Sequence, residues 1–498
     1  MASRVRETER KYRAEADTPP HDLTGAGPVA RAVGPNRMDL DATYYDTVDL
    51  RLAHAGITLR RRTGGTDAGW HVKLPAAGDS RDEIRFPLGR ARAKVPADLV
   101  SLVRAYTLDA ELAPVVRIAT ERAEWELEDG DGATIALLAD DQVTAHLPDG
   151  EVKRWREIEV EASDSAVLDA IEAVLDVERS PSASKLAQAL GERADRRKRG
   201  PLRSKPTAGE VALDYLAQQV DRLRAHDPGV RLDSPDSVHQ MRVASRRLRS
   251  SLRAFRPLFD VGQIAALRTE LRWLGRELAP ARDTEVLDAS LHAELDRVPS
   301  DNVLGAVSAR MTAEFGREAA TARAAAVSAL DSDRHLALLT ALAEFLAHPS
   351  WTARAGLPAK DELRKPVRKA ARTLARSVAA VREADAGVQR DVALHQARKD
   401  AKKARYTAEA VLPVFGGKLD AWRKAVKKAQ TALGEHQDAV VAKTTLRQLG
   451  VRAHLAGDNG FTYGVLHARQ ETRAEQAERD FVTRWRALRR VKGPRWLG

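Results

Sequence analysis

Two kinds of hydrophobic patterning divide the chain. Up to about residue 195, short segments alternate residue by residue, as strands do; beyond 207, apolar positions recur at helical spacing. In "RVRETERK", Val5, Glu7, Glu9 and Lys11 share one side of a strand and Arg6, Thr8 and Arg10 the other, so neither side is an ordinary core face. "ITLRRRTGG" sets Ile57, Leu59 and Arg61 against Thr58, Arg60 and Arg62, then turns at Gly64 and Gly65. "GWHVKLP" sets Trp70, Val72 and Leu74 against His71 and Lys73, and "RDEIRFPL" sets Ile84 and Phe86 against Glu83 and Arg85. "VKRWREIEVEA" sets Arg156, Ile158 and Val160 against Glu157, Glu159 and Glu161. Each strand carries one face crowded with ions and one that is largely apolar.

A two-layer sandwich would turn those charged faces to water. A closed antiparallel barrel with a polar interior is the other solution, its apolar outside covered by helices. Helical spacing in "PADLVSLVRAYTLDAEL", "SDSAVLDAIEAVLDV" and "SASKLAQALGERAD" supplies such helices. "GAGPVARAVGPNRM", residues 25–38, reads as loop with short helix. No pattern fixes a register across 112–141, where Arg117, Arg122 and Asp140 are the candidate charges.

The second half contains an internal repeat. "HQMRVASRRLR" from His239 aligns with "HQARKDAKKAR" from His395, pairing Arg242 with Arg398, Arg246 with Lys402, Arg247 with Lys403 and Arg249 with Arg405. Each copy is followed by Leu-Gly and then an acid, in "LGRELAPARD" and "LGEHQD". On a helix, offsets 0, 3, 7 and 10 fall at about 0°, 300°, 340° and 280°, which puts the His and three cations of each copy on one stripe. Met241, Leu248, Leu252 and Phe255 lie opposite, and residues 237–259 contain no acid. Like charges at these spacings repel, so the stripe is locally unfavourable without an anion. Further basic helical stretches are "ELRKPVRKAAR" at 362–372 and "WRKAVKKAQ" at 422–430, and Thr207-x-x-Glu210 reads as a capping box. His239 and His395 have no carboxylates at ligand spacing and do not make a metal site.

Composition sharpens the division. Residues 1–196 carry 27 Lys and Arg against 36 Asp and Glu, a balance of −9, and the remainder carries 55 against 35, or +20. The change falls at "RRKRGPLRSKPTAG", residues 196–209, a basic stretch without periodicity that reads as a linker. The 498 residues include no cysteine, which excludes disulfides and thiolate metal sites. The N-terminus lacks an apolar signal-peptide core, and no stretch is apolar enough to cross a membrane, so the expected location is the cytoplasm. With 5% aromatic residues the chain has little to offer a stack of bases.

Carboxylates and guanidinium groups facing each other inside one barrel would neutralise each other unless a ligand separates their roles. Carboxylates suit Mg²⁺ or Mn²⁺, guanidinium forks suit phosphate oxygens, and a metal-bound oligophosphate explains both sets. The ordered residues resemble the CYTH domains, or triphosphate tunnel metalloenzymes. "ETERK" matches their ExExK signature with Glu7, Glu9 and Lys11, followed by Arg60 and Arg62 in "LRRR", Lys73, "EIEVE" at 157–161, and Ser184–Lys185. The resemblance implies a tunnel in which Glu7, Glu9 and Lys11 are catalytic. Arg60, Arg62, Lys73, Arg85, Arg117 and Lys185 would hold the substrate, and Glu7, Glu9, Glu157 and Glu159 would hold Mg²⁺ or Mn²⁺.

The helical half resembles the CHAD domain, a module associated with inorganic polyphosphate. That resemblance assigns polyphosphate contacts to His239, Arg242, Arg246, Arg249, His395, Arg398, Lys402 and Arg405. The expected protein is therefore α+β with two domains: an antiparallel β-barrel tunnel with covering helices at 1–195, a basic linker at 196–206, and an all-α domain at 207–498. The last comprises two duplicated helical bundles, at about 207–350 and 351–498. The expected activity is metal-dependent hydrolysis of inorganic triphosphate or another triphosphate, joined to capture of long-chain polyphosphate. A non-catalytic polyphosphate adaptor, a nucleoside-triphosphate phosphatase and an adenylyl cyclase are the alternatives. Nucleic acid is disfavoured because the cationic face carries neither interleaved aromatics nor base-reading Asn or Gln. The sequence is silent on oligomeric state.

Overall fold

A computed structural model describes residues 3–15, 22–76, 78–89, 94–175, 177–194, 200–491, 493, 494 and 496. The chain forms two compact units, 1–199 and 200–498. Residues 196–199 of the expected linker lie outside the described residues.

The first unit is a closed barrel of eight strands. They are β1 (Ser3–Ala14), β2 (Arg31–Asp46), β3 (Thr58–Thr63), β4 (Gly69–Pro75), β5 (Ser80–Phe86), β6 (Ala113–Glu128), β7 (Thr134–His146) and β8 (Val152–Ala162). The order around the barrel is β1-β5-β4-β3-β2-β6-β7-β8, every neighbour antiparallel. Closure removes the exposed edges that a charged two-layer sandwich would have left. Three strands arise where the sequence pattern was silent or misleading. Residues 31–38, expected as loop with short helix, begin β2, and the register shift between Val33 and Asn36 absorbs Gly34 and Pro35 without ending the strand. The stretch without a legible register is the long β6–β7 pair, matched from Arg117↔His146 to Glu128↔Thr134.

The apolar outside of the barrel is covered as the alternation requires. Tyr12, Leu138, Ile158 and Val160 pack with Val167, Leu168 and Ile171 of the helix Ser165–Glu172, whose cap is the Asp164 carboxylate accepting from Ala166 N–H at 2.8 Å. The helix Ala97–Thr107 is shorter than its apolar pattern, because Leu108 and Asp109 adopt positive φ of 52° and 61°. The short helix Lys185–Leu190 instead joins an inner cluster, where Leu186, Ala189 and Leu190 meet Tyr44, Ile118 and Val143. It carries Lys185 toward the polar interior.

The second unit is helical. The capping box forms as read: Thr207 N–H donates to the Glu210 carboxylate at 2.8 Å, and Glu210 N–H to the Thr207 hydroxyl at 3.2 Å. The two repeated segments are the helices Ser237–Ala254 and Val388–Ala410. The first buries Met241, Ala244, Leu248 and Leu252, and the second Leu394, Ala397, Ala401 and Ala404. The 39-residue helix Gly417–Leu455 serves two cores. Val426 and Leu433 pack with Leu394 and Phe481, while Leu446 and Leu449 pack with Leu291, Met311 and Phe315. The packing of the two repeats is thus continuous across residue 350. No described helix is long and apolar enough to cross a membrane.

Candidate functional site

Strand parity fills the barrel interior with ions around a cavity of about 330 Å³. From β1 come Glu7, Glu9 and Lys11; from β3, Arg60 and Arg62; from β4, Lys73; from β5, Arg81, Glu83 and Arg85. β6 adds Arg122 and Glu124, β8 adds Glu159 and Glu161, and Lys185 enters from its helix.

The charges sort into two neighbouring sets. In one, Lys73 Nζ donates to Glu7 at 2.6 Å and lies 3.6 Å from Glu9, and Arg85 donates to Glu7 at 2.7 Å and also binds Glu83. Arg60 lies 3.7 Å from Glu83 and donates to the Tyr44 hydroxyl at 3.4 Å. Behind Glu83 the buried His71 is wedged, with its Nδ1 2.9 Å from Glu83 and its Nε2 2.9 Å from the Asp67 carbonyl. Asp67 in turn binds Arg62. In the other set, Lys185 Nζ reaches Asp141 at 2.8 Å, Glu157 at 2.8 Å and Glu159 at 2.6 Å. Arg122 binds Asp141 and Glu159 at 2.6 Å each, and Lys11 binds Glu159 while lying 3.7 Å from Glu9.

Crowding moves the proton affinities. Burial pushes Glu9 up, but Lys11, Lys73, Arg81 and Lys185 outweigh it and hold Glu9 well below the usual carboxylate range. Burial also lowers Lys11 to about 8 against the pull of Glu9, and lowers Arg62 to about 9 with help from Arg60 and Arg122. Glu161, facing Glu7 and Glu9, is raised to about 7, chiefly by burial. These are groups whose charges are held out of water at a cost that an incoming ligand of mixed charge can offset.

Asp141, Glu157 and Glu159 each offer an oxygen within 4.8 Å of the others. Three hard carboxylate donors on adjacent strands fit Mg²⁺ or Mn²⁺. Of the four expected metal ligands, Glu157 and Glu159 belong to this trio, whereas Glu7 and Glu9 lie outside it and line the cavity together with Glu159. Asp141 was not singled out in the sequence. Its neighbour Asp140 lies on the outer parity of β7 and binds Arg156 at 2.7 Å.

Arg117 does not line the cavity. On β6 the inward positions are Ile118, Thr120, Arg122 and Glu124, so Arg117 points outward, where its exposed guanidinium binds Asp41 at 2.5 Å. The other substrate-binding candidates, Arg60, Arg62, Lys73, Arg85 and Lys185, all line the interior. Arg81 and Glu83 share the parity of Arg85 on β5, so alternation alone could have found them. Arg122 and Asp141 required the β6–β7 register, Arg122↔Asp141, which only the fold supplies.

In the helical unit the repeated residues also gather. Arg242 donates to Asp283 at 2.8 Å and Arg398 to Asp438 at 3.3 Å, so in each copy the first cation of the stripe meets the acid that follows Leu-Gly. Gly434 has its missing Cβ position 3.5 Å from the Arg398 guanidinium, and Gly275 has its own 3.7 Å from that of Arg249. The two copies converge. Burial, with Arg398 and Arg246 next, lowers Lys402 to about 7. His239 and His395 lie on the same cationic faces, each held below its ordinary value by burial and by neighbouring cations. Arg246, Arg249, Lys402 and Arg405 make no ion pair among the described residues. Arg268, Arg272 and Arg282, from the following helices, extend the cluster beyond what the repeat revealed.

Residues 5–189 match the CYTH domain and residues 214–447 the CHAD domain. Two uncharacterized proteins of Mycobacterium tuberculosis, from strains CDC 1551 / Oshkosh and ATCC 25618 / H37Rv, are each 36% identical over 505 residues, covering 97% of this chain and 96% of their own. Among solved structures, PptA from Streptomyces chartreusis is 24% identical with a TM-score of 0.48, covering 56% of this chain and 99% of its own. HpAC1 from Hippeastrum, a candidate adenylyl cyclase reported to have a dominant triphosphatase activity, is 17% identical with a TM-score of 0.25, covering 37% of this chain and 94% of its own. The chain therefore belongs to the proteins in which a CYTH domain is followed by a CHAD domain.

Proposed function

We propose that the barrel hydrolyses inorganic triphosphate with Mg²⁺ or Mn²⁺, and that the helical domain captures long-chain polyphosphate. The observation that carries the first part is a cavity lined by Glu159 of the carboxylate trio and by a ring of cations from β1, β3, β4, β5, β6 and the helix at Lys185, with Asp141 and Glu157 buried beside Glu159. A metal held by Asp141, Glu157 and Glu159 would polarise a phosphoryl oxygen and lower the proton affinity of a water. The chain's own groups do the rest. Arg60, Lys73 and Arg85 exchange Glu7 and Glu83, and Arg62 exchanges Asp67, for phosphate oxygens as substrate enters, so charge already held out of water is reused on the ligand. Lys185, Arg122 and Lys11 lie against the trio, placed to turn from its carboxylates toward a phosphoryl group beside them. Glu7 and Glu9 keep the cations of β1, β4 and β5 in place for the phosphates, so that loss of either charge lowers turnover.

For the second part, eight repeat-related His, Arg and Lys residues converge on a face where four cations have no carboxylate partner among the described residues. A polyanion without bases matches that face, since each cation that meets a phosphate releases counterions. Purified full-length protein, assayed with inorganic triphosphate, nucleoside triphosphates and thiamine triphosphate under Mg²⁺ or Mn²⁺, tests the enzymatic part. Phosphate and pyrophosphate released from inorganic triphosphate at the highest kcat/KM are expected. Cyclic nucleotide as the main product, or no turnover of any of them, overturns it.

A further inference from the structure

The helical unit contains a further cavity, of about 1020 Å³, that meets the cationic cluster at Arg253 and Arg268. Its walls are the end of the helix Ser237–Ala254 with the turn Arg256–Leu258, Arg268 of the helix Val261–Glu277, residues 362–373, and three residues of the helix Val388–Ala410. Those three, Asp400, Lys403 and Thr407, lie at about 80–140° on a helical wheel counted from His395, whereas Arg398, Lys402 and Arg405 lie at about 280–340°. The cavity thus opens on the opposite face of that helix from the stripe.

The lining is divided. Arg354 and Lys365 both bind Glu362, at 2.6 and 2.5 Å, and Lys403 binds Asp400 at 2.8 Å, so these charges are internally satisfied. Arg253, Arg256, Arg268 and Lys369 have no carboxylate partner among the described residues. Arg268 is partly buried among Arg253, Arg256 and Arg272, and burial and those neighbours hold its pKa below the ordinary value. The apolar part of the wall is built from Phe255, Leu258, Leu363, Pro366 and Ala370. A bare inorganic anion would satisfy the cations and leave that wall unused. A neutral apolar ligand would leave four cations without counter-charge. The volume is that of a small-molecule site.

We propose that this cavity binds an organic phosphate, with its charged end on Arg253, Arg256, Arg268 and Lys369 and its planar or apolar part against Phe255, Leu258, Leu363 and Ala370. The proposal is independent of tunnel hydrolysis, and it shares Arg268 but none of the eight repeat-related residues with the face proposed to capture polyphosphate. The test uses the full-length chain carrying Arg60→Ala and Lys73→Ala, which weakens nucleotide binding in the tunnel. N-methylanthraniloyl-ATP is titrated by fluorescence at 150 mM salt and displaced with ATP or with inorganic tripolyphosphate. ATP should displace the probe at least tenfold better than tripolyphosphate, because only ATP brings a base to the apolar wall. Adding Arg256→Glu and Lys369→Glu, both at exposed positions, should weaken probe binding at least tenfold with the circular dichroism unchanged. Adding Arg246→Glu and Lys402→Glu on the stripe should leave it within twofold. Equal displacement by tripolyphosphate, no probe binding, or equal loss from the stripe pair would each overturn the proposal.

Discussion

If the helical domain captures polyphosphate as proposed, Lys402 should make that capture pH-dependent near neutrality. Its ammonium is withdrawn from water and faces Arg398, Arg246 and Arg405, with Asp438 pulling the other way, and its pKa falls to about 7. A polyanion laid across the same cations reverses their effect and raises that value, so binding takes up a proton. Below pH 7 Lys402 is charged both free and bound, and affinity is flat with respect to this group. Above pH 7 the free protein is neutral there, and each further pH unit should weaken binding about tenfold, or ~1.4 kcal/mol, until the bound-state pKa is reached. His239 and His395 titrate lower, since burial and adjacent cations depress both, so their contribution falls on the acid side. Isothermal titration of the full-length protein with long-chain polyphosphate at pH 6.5, 7.5 and 8.5, in buffers of different ionisation enthalpy, reads both affinity and proton uptake. Lys402→Arg should remove the slope while keeping tight binding, because guanidinium stays charged throughout. A flat affinity in the wild type, or an unchanged slope in Lys402→Arg, refutes the reasoning.

Three further outcomes follow from side-chain placement. Arg122→Ala should lower kcat/KM for triphosphate by ten- to a hundredfold, while Arg117→Ala on the outer face should change it less than twofold; equal effects would contradict the strand parity of β6. Asp141→Asn should raise the Mn²⁺ concentration needed for half-maximal turnover at least tenfold with the fold intact by circular dichroism, and an unchanged requirement would remove Asp141 from the metal site. Replacing Arg242, Arg246, Arg398 and Lys402 together with Glu should abolish polyphosphate binding while helicity survives, and retention of binding would place the contact elsewhere.

The barrel was legible because alternation is strict wherever one face must be polar and the other apolar. Glu7, Glu9, Lys11, Arg60, Arg62 and Lys73 all stand on the parity that turns inward. What the pattern could not supply was register across the longest hairpin. β6 carries charged residues on both faces, with Arg117 and Glu121 outside and Arg122 and Glu124 inside, so only pairing to β7 tells which face encloses the cavity. Asp140 and Asp141 are adjacent in sequence and opposite in environment for the same reason. In the helical half the repeat exposed one cationic helix per copy, but the convergence of the copies and the contribution of Arg268, Arg272 and Arg282 depend on tertiary packing. The pairing of Arg242 with Asp283 and of Arg398 with Asp438 explains why an acid follows each Leu-Gly.

The most direct measurement of the central claim is phosphate release from inorganic triphosphate by full-length wild type and Glu9→Gln, each with Mn²⁺, Mg²⁺ or excess chelator. Glu9 is held ionised by Lys11, Lys73, Arg81 and Lys185 despite its burial, so Gln removes a charge at nearly constant volume from the centre of the tunnel. The account predicts metal-dependent release by the wild type, none with chelator, and a loss of at least a hundredfold in the variant with an unchanged melting profile. Metal-independent release, or equal turnover by a folded Glu9→Gln protein, would contradict it.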